Sequence, residues 1–141
     1  MLQSLSRDTE VRQRVVVVLL RLAGGVMLLA FLAMIMPGDW MVATHRSLGL
    51  GELPRDPIVD YLARSASAIY GFHGVLLLAI SLDPARYVRL IRTLGVMNVM
   101  FGVVLVGIDL HAGMPMYWTL AEGPPVSAFG VALLYLTRSS T

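Results

Sequence analysis

Hydrophobic residues in this chain come in long blocks, not at the two-residue or three-to-four-residue spacing of half-buried strands and helices. The first block runs from Val15 to Met36 and is broken only by Arg21 and the pair Gly24-Gly25. A second covers 58–82, starting just after Pro57, and a third covers 86–110, with Asp83-Pro84 as the short turn between them. A helix needs about 20 residues to cross the ~30 Å hydrocarbon layer, so each of these three is long enough.

A fourth block, 118–138, is less uniform. Its clearly apolar part, Val126 to Thr137, is too short to span alone. The pattern places Pro124-Pro125 at the start of that helix, where missing N–H groups cost little. The stretch Met114 to Ala121 then dips into the membrane or lies at its surface. The polar linker 37–57 predicts a short amphipathic helix from Trp40 to Leu48, lying on the outer membrane surface and turning at Gly49 and Gly51. The expectation is a single all-α domain over residues 1–141: an integral membrane, antiparallel four-helix bundle.

Composition supports the bilayer. Of 141 residues 57% are hydrophobic and 14% charged, and the mean hydropathy is +0.74. That is too little charge to solvate the surface of a soluble domain of this size. All eleven basic residues are arginine and scattered, and the net charge is only +2, which leaves no nucleic-acid footprint. The absence of cysteine excludes disulfides, thiolate metal sites and cysteine nucleophiles. Arg7, Arg12 and Arg14 precede the first block in the manner of a secretion signal. The block exceeds the about 7–15 residues of a signal core, and no small-x-small site follows, so an uncleaved first span is expected.

Arginine placement gives a direction. Four spans put the N-terminus, the turn at 83–85 and the C-terminus on one side, with Arg7, Arg12, Arg14, Arg86, Arg89, Arg92 and Arg138 there and Arg21 near it. Only Arg46, Arg55 and Arg64 fall on the other. The positive-inside rule makes the first side cytoplasmic, so both termini are expected inside a bacterial inner membrane. Asp39, Glu52, Asp56, Asp60, Asp109 and Glu122 lean outward, as do the interfacial anchors Trp40 and Trp118.

Small residues mark close helix contacts in lipid. Ser67, Gly71, Gly74 and Ser81 form one stripe on the second span, and Gly95, Asn98, Gly102 and Asp109 another on the third. Joined by a short turn, the two stripes are expected to meet, with Gly74 opposite Gly95, Gly71 opposite Asn98 and Ser67 opposite Gly102. Continued outward, this register brings Arg64 within reach of Asp109, with Asp60 as a second partner one turn away on its own helix. An intramembrane charge needs such a partner. The pair either locks the hairpin or heads a polar pocket.

Three histidines are the other chemical candidates. His73 and His111 differ in depth by roughly 25 Å at 1.5 Å per residue, so one haem cannot bridge them. His73, with Tyr70 at i−3, is a hydrogen-bonded interior histidine or else a haem or pigment ligand or proton relay. His45, His111, Asp109, Arg64, Asp60 and Glu122 gather at the outer end, where Glu122 can cap the fourth helix. Their alternative uses are a quinone headgroup, a small anion or a metal, although no zinc spacing such as H-E-x-x-H supports the last. Nucleotide-binding glycine loops and the G-x-S-x-G elbow are absent.

Four short spans, a polar outer loop opening at Met36-Pro37-Gly38-Asp39-Trp40, and a tight inner turn make the chain similar in size and topology to small bacterial inner-membrane proteins of the DoxX-like group. Some members of that group are linked to redox or quinone-associated work. The resemblance is architectural and transfers no residue role. The expected function is a structural or accessory membrane subunit without its own catalysis and with no cofactor. Its partners are the lipid bilayer and other membrane subunits or further copies of itself. The alternatives are a redox-associated protein binding quinone, haem or pigment, and a small transporter, although the third span offers only Asn98 as a polar path between its ends.

Overall fold

The computed structural model describes the backbone of residues 2–138 and the side chains of residues 9–138. Among these residues all regular structure is helical: α1 (Leu2–Leu28), α2 (Ala30–Ile35), α3 (Gly38–Ser47), α4 (Pro57–Ile80), α5 (Val88–Ala112) and α6 (Met116–Thr137). The side chain of Arg7, counted above among the inner arginines, lies outside the described residues.

Three helical segments are long and apolar enough to cross a membrane: Thr9–Ile35, which joins α1 to α2, then Pro57–Ile80 and Val88–Ala112. These correspond to the first three sequence blocks. Leu22, Val26, Leu29, Leu32, Ile69, Phe72, Met100 and Val103 on them are exposed, which is consistent with contact with lipid, where apolar surface carries no solvation penalty.

The fourth block behaves differently from expectation. α6 starts at Met116 and runs without interruption to Thr137, so Pro124 and Pro125 lie inside the helix and not at its start. Neither proline can donate to the carbonyl four residues back, which leaves those of Leu120 and Ala121 without a helical partner. With Glu122, the prolines dilute the helix's apolar character, and α6 is not among the segments apolar enough to span. From Met116 onward the stretch Met114–Ala121 is the first turns of α6.

Contacts divide the chain into two compact units, one of residues 21–79 and one of residues 1–20 with 80–141. In the first, α1 and α2 pack on α4 through the closest approach the backbone permits. A Cβ at Gly74 would lie 2.7 Å from the Gly24 carbonyl oxygen, and one at Gly24 would lie 2.9 Å from that of Gly74. Further along, Phe31 lies over Gly71, whose missing side chain makes room for the ring. Phe31 also meets Phe72 edge-on, with centroids 5.3 Å apart and planes at 88°, a favoured aromatic geometry.

In the other unit α5 and α6 pack by the same device. Gly95 meets Gly130, and Gly102 meets Gly123 and Ser127. The Ser127 hydroxyl donates to the Val99 carbonyl at 3.1 Å, and Leu94, Ile91 and Leu133 are buried. Both small-residue stripes read from the sequence are therefore used, each within its own unit. Gly74 serves Gly24 and Gly95 serves Gly130, in place of the expected Gly74–Gly95 pairing. Gly71 takes Phe31 in place of Asn98, whose amide donates to the Leu94 carbonyl of its own helix at 2.8 Å. Gly102 takes α6 in place of Ser67. The reason is complementarity: Gly24, Gly123, Ser127 and Gly130 are also small, so several helix pairs could have zipped, and a short connection does not decide which.

Glycine conformation matters at two helix ends. Gly49 after α3 has φ 72° and Gly113 after α5 has φ 69°. At the first, Gly49 N–H donates to Arg46 O and Leu50 N–H to His45 O. At the second, Gly113 N–H donates to Leu110 O and Met114 N–H to Asp109 O. This paired ending satisfies the last carbonyls and needs a left-handed residue that glycine adopts without strain.

Candidate functional site

Within residues 21–79, the segment 37–60 holds the densest group of charges. Its helix α3 matches the amphipathic helix expected from Trp40 to Leu48. The loop after it is tied down by side chains. His45 Nδ1 and the Gly51 carbonyl oxygen are 3.0 Å apart; a carbonyl only accepts, so Nδ1 carries the proton. Arg46 and Glu52 pair at 2.7 Å, and Arg55 and Asp39 at 3.3 Å. Asp56 begins α4: its carboxylate accepts from Ile58 N–H at 2.9 Å, with Pro57 following at a position where no amide hydrogen is needed.

The hydrogen bond from Arg46 holds the Glu52 carboxyl below the usual carboxylate range, and Glu52 in turn raises Arg46. A lowered carboxylate contributes stability above its unfolded value and loses it as pH falls through the folded one. Both groups are exposed, at 65% and 72%, so solvent screens the pair and its effect on stability is small. Arg46→Ala is expected to move the Glu52 titration midpoint upward, read by NMR of the side-chain carboxyl, with the melting temperature nearly unchanged.

Asp39, Arg55, Asp56 and Asp60 line a cleft of about 370 Å³ floored by Met41, Val42, Leu53 and Val59. Its charges are already committed. Asp39 is paired with Arg55, Asp56 caps α4, and Asp60 is held by Arg64 Nε at 2.9 Å.

Arg64 is the most informative of the predicted residues. Its Nη1 donates to the Met34 carbonyl at 2.7 Å while its Nε holds Asp60. The ion pair is thus the i−4 one on α4. The second guanidinium nitrogen bonds a backbone carbonyl at the end of α2. A guanidinium at the last carbonyls of a helix also meets the negative end of its dipole. The Met34 carbonyl carries no sequence signal, since any residue has one.

His73 is half-buried on α4 beside Gly74. Gly24 on α1 lies against the Gly74 carbonyl and the Leu78 side chain. Gly25 does border open space. Tyr70, at i−3, has about a third of its surface exposed, at 37%.

Of the predicted outer residues, Asp109, His111 and Glu122 belong to the second unit. His111 is exposed in the last turn of α5. Glu122 does not cap α6, because the helix begins two turns earlier; it accepts a hydrogen bond from Trp118 Nε1 at 2.7 Å. Asp109 is buried, at 5% exposure, and its Oδ2 has no hydrogen-bond partner. The same holds for the Thr119 hydroxyl on α6, at 2% exposure. Thr119 was not picked out from the sequence, because a helix begun at Pro124 leaves it outside any register.

At the opposite end of this hairpin Arg92 Nε and Nη2 donate to the Thr137 carbonyl, the former at 3.1 Å. Arg12 and Arg138 both lie over the Tyr135 ring, at 5.9 Å and 4.1 Å from its centroid. Among the described residues no group of three or more His, Asp or Glu is placed to hold a metal ion. No protein-family model, curated protein or solved structure matches the chain.

Proposed function

We propose that this chain is a non-catalytic structural or accessory subunit of a bacterial inner-membrane assembly. In this reading it is built as an antiparallel four-helix bundle with both termini cytoplasmic, and α6 is carried across the layer by packing on α5. One observation carries the functional part. Several of the side chains that looked chemically useful in the sequence are turned to internal fastening: Arg64 to Asp60 and Met34, His45 to Gly51, Glu122 to Trp118. Groups so engaged hold helices and loops in place and are not free to attack a substrate.

The topology rests on two further supports. The arginine asymmetry along the sequence favours inner termini, and Arg12 and Arg138, near opposite ends of the chain, share one tyrosine ring. The DoxX-like resemblance remains part of the proposal at the level of architecture.

The test is extraction from native membranes in a mild detergent, followed by native gel and mass analysis. An accessory subunit should run in a complex much larger than 15.4 kDa with co-purifying membrane proteins or further copies of itself. A discrete monomer would sink the reading. The visible spectrum of the same sample decides the redox alternative, since haem or pigment on His73 would colour it and the accessory subunit is expected to be colourless.

A further inference from the structure

Two buried polar groups on α5 and α6 remain without partners, and the helix register brings them to the same place. Contacts along this hairpin pair Gly95 with Gly130, Gly102 with Gly123, and Val106 with Gly123. One further turn along the same faces puts Asp109 opposite Thr119. Asp109 lies seven residues beyond Gly102 and Thr119 four before Gly123, so both sit on the contact faces and not on the flanks. Oδ2 of Asp109 and Oγ1 of Thr119, on residues 5% and 2% exposed, are the buried side-chain atoms without a hydrogen bond among the described residues.

A carboxylate so far from water is costly unless a positive charge compensates it. The arginines of this hairpin do not serve: Arg89 and Arg92 lie in the first two turns of α5, where Arg92 bonds Thr137, and Arg138 follows α6 over Tyr135, all at the other end. We propose that Asp109 and Thr119 form the binding site of a small monovalent cation such as sodium. The carboxylate supplies the charge and the hydroxyl a neutral oxygen. An all-oxygen donor set suits a hard alkali cation and is unsuited to soft metals. The site ends α5, next to the left-handed Gly113 whose following amide, Met114 N–H, is bonded to the Asp109 carbonyl. The cation therefore fastens the loop end of the hairpin as Arg92 fastens the other.

The full chain in detergent tests this by thermal unfolding at constant ionic strength, with sodium chloride replaced stepwise by choline chloride, whose cation is too large for the site. Sodium is expected to raise the melting temperature saturably, by about 3–6 °C. The sodium-23 resonance should broaden on adding protein. Asp109→Asn keeps the shape and removes the charge; it should lose both responses while remaining folded by circular dichroism. Thr119→Val should weaken the sodium response without abolishing it, which keeps the test decisive if the Asn variant misfolds. Equal melting in sodium and choline would overturn the proposal. So would a sodium response that survives Asp109→Asn, or protection that follows pH and ignores sodium, which would assign the site to a proton.

Discussion

Gly102→Ala is expected to be among the most damaging single-methyl changes in this protein. A Cβ there would meet Ser127 Oγ and would lie 2.5 Å from the Gly123 carbonyl oxygen and 2.7 Å from the Ser127 amide nitrogen. Two of those three atoms are backbone, so no rotamer change relieves the clash and α5 and α6 must separate. Overpacking of this kind costs about 1–3 kcal/mol, and the shared backbone places this site at the upper end. The internal control is Gly107→Ala on the same helix, where nothing lies within 4 Å of the added carbon. That substitution removes glycine's conformational freedom from a helix interior and should be neutral or stabilising, by up to about 1 kcal/mol. Thermal or denaturant unfolding in one detergent ranks the pair. If the two variants melt together, the helices do not approach at Gly102.

Arg92→Ala should produce the next largest loss. It removes two donors from the Thr137 carbonyl at the end of α6, where the helix has no amide of its own to satisfy it. Hydrogen bonds involving a charged group contribute about 1.5–3 kcal/mol, and the part-buried setting limits competition from water. Lysine should recover less than half, because a single ammonium cannot offer the two-nitrogen grip. A parallel comparison concerns Arg64. Arg64→Ala removes both the Met34 bond and the Asp60 pair, whereas Asp60→Ala leaves the Met34 bond standing. Asp60 is half exposed, at 51%, and a screened surface pair contributes little. The melting temperature should therefore fall more for Arg64→Ala than for Asp60→Ala. The reverse order would mean that the carboxylate, and not the helix end, is the partner that matters.

The helical class, the first three apolar segments and the small helix before α4 were all legible from residue order, because each depends on local quantities: run length, hydropathy, and glycine or proline at the ends. The candidate site was legible only in part. Arg64 and Asp60 were paired from i,i+4 spacing alone, which is a property of one helix. Arg64 with Met34 and Arg92 with Thr137 were not, because backbone carbonyls leave no mark in the pattern.

Two decisions belonged to the tertiary structure. One was where α6 begins. Local preference starts a helix at Pro124-Pro125, yet the chain extends it back to Met116, where packing of Gly123, Ser127 and Gly130 along α5 outweighs two lost backbone bonds. The other was which stripe meets which. Residue order determined that Gly71, Gly74, Gly95 and Gly102 are contact positions, because only small residues permit backbone approach. It could not determine their partners, because a glycine face fits any other small face, and the choice depends on the simultaneous packing of every helix in the unit.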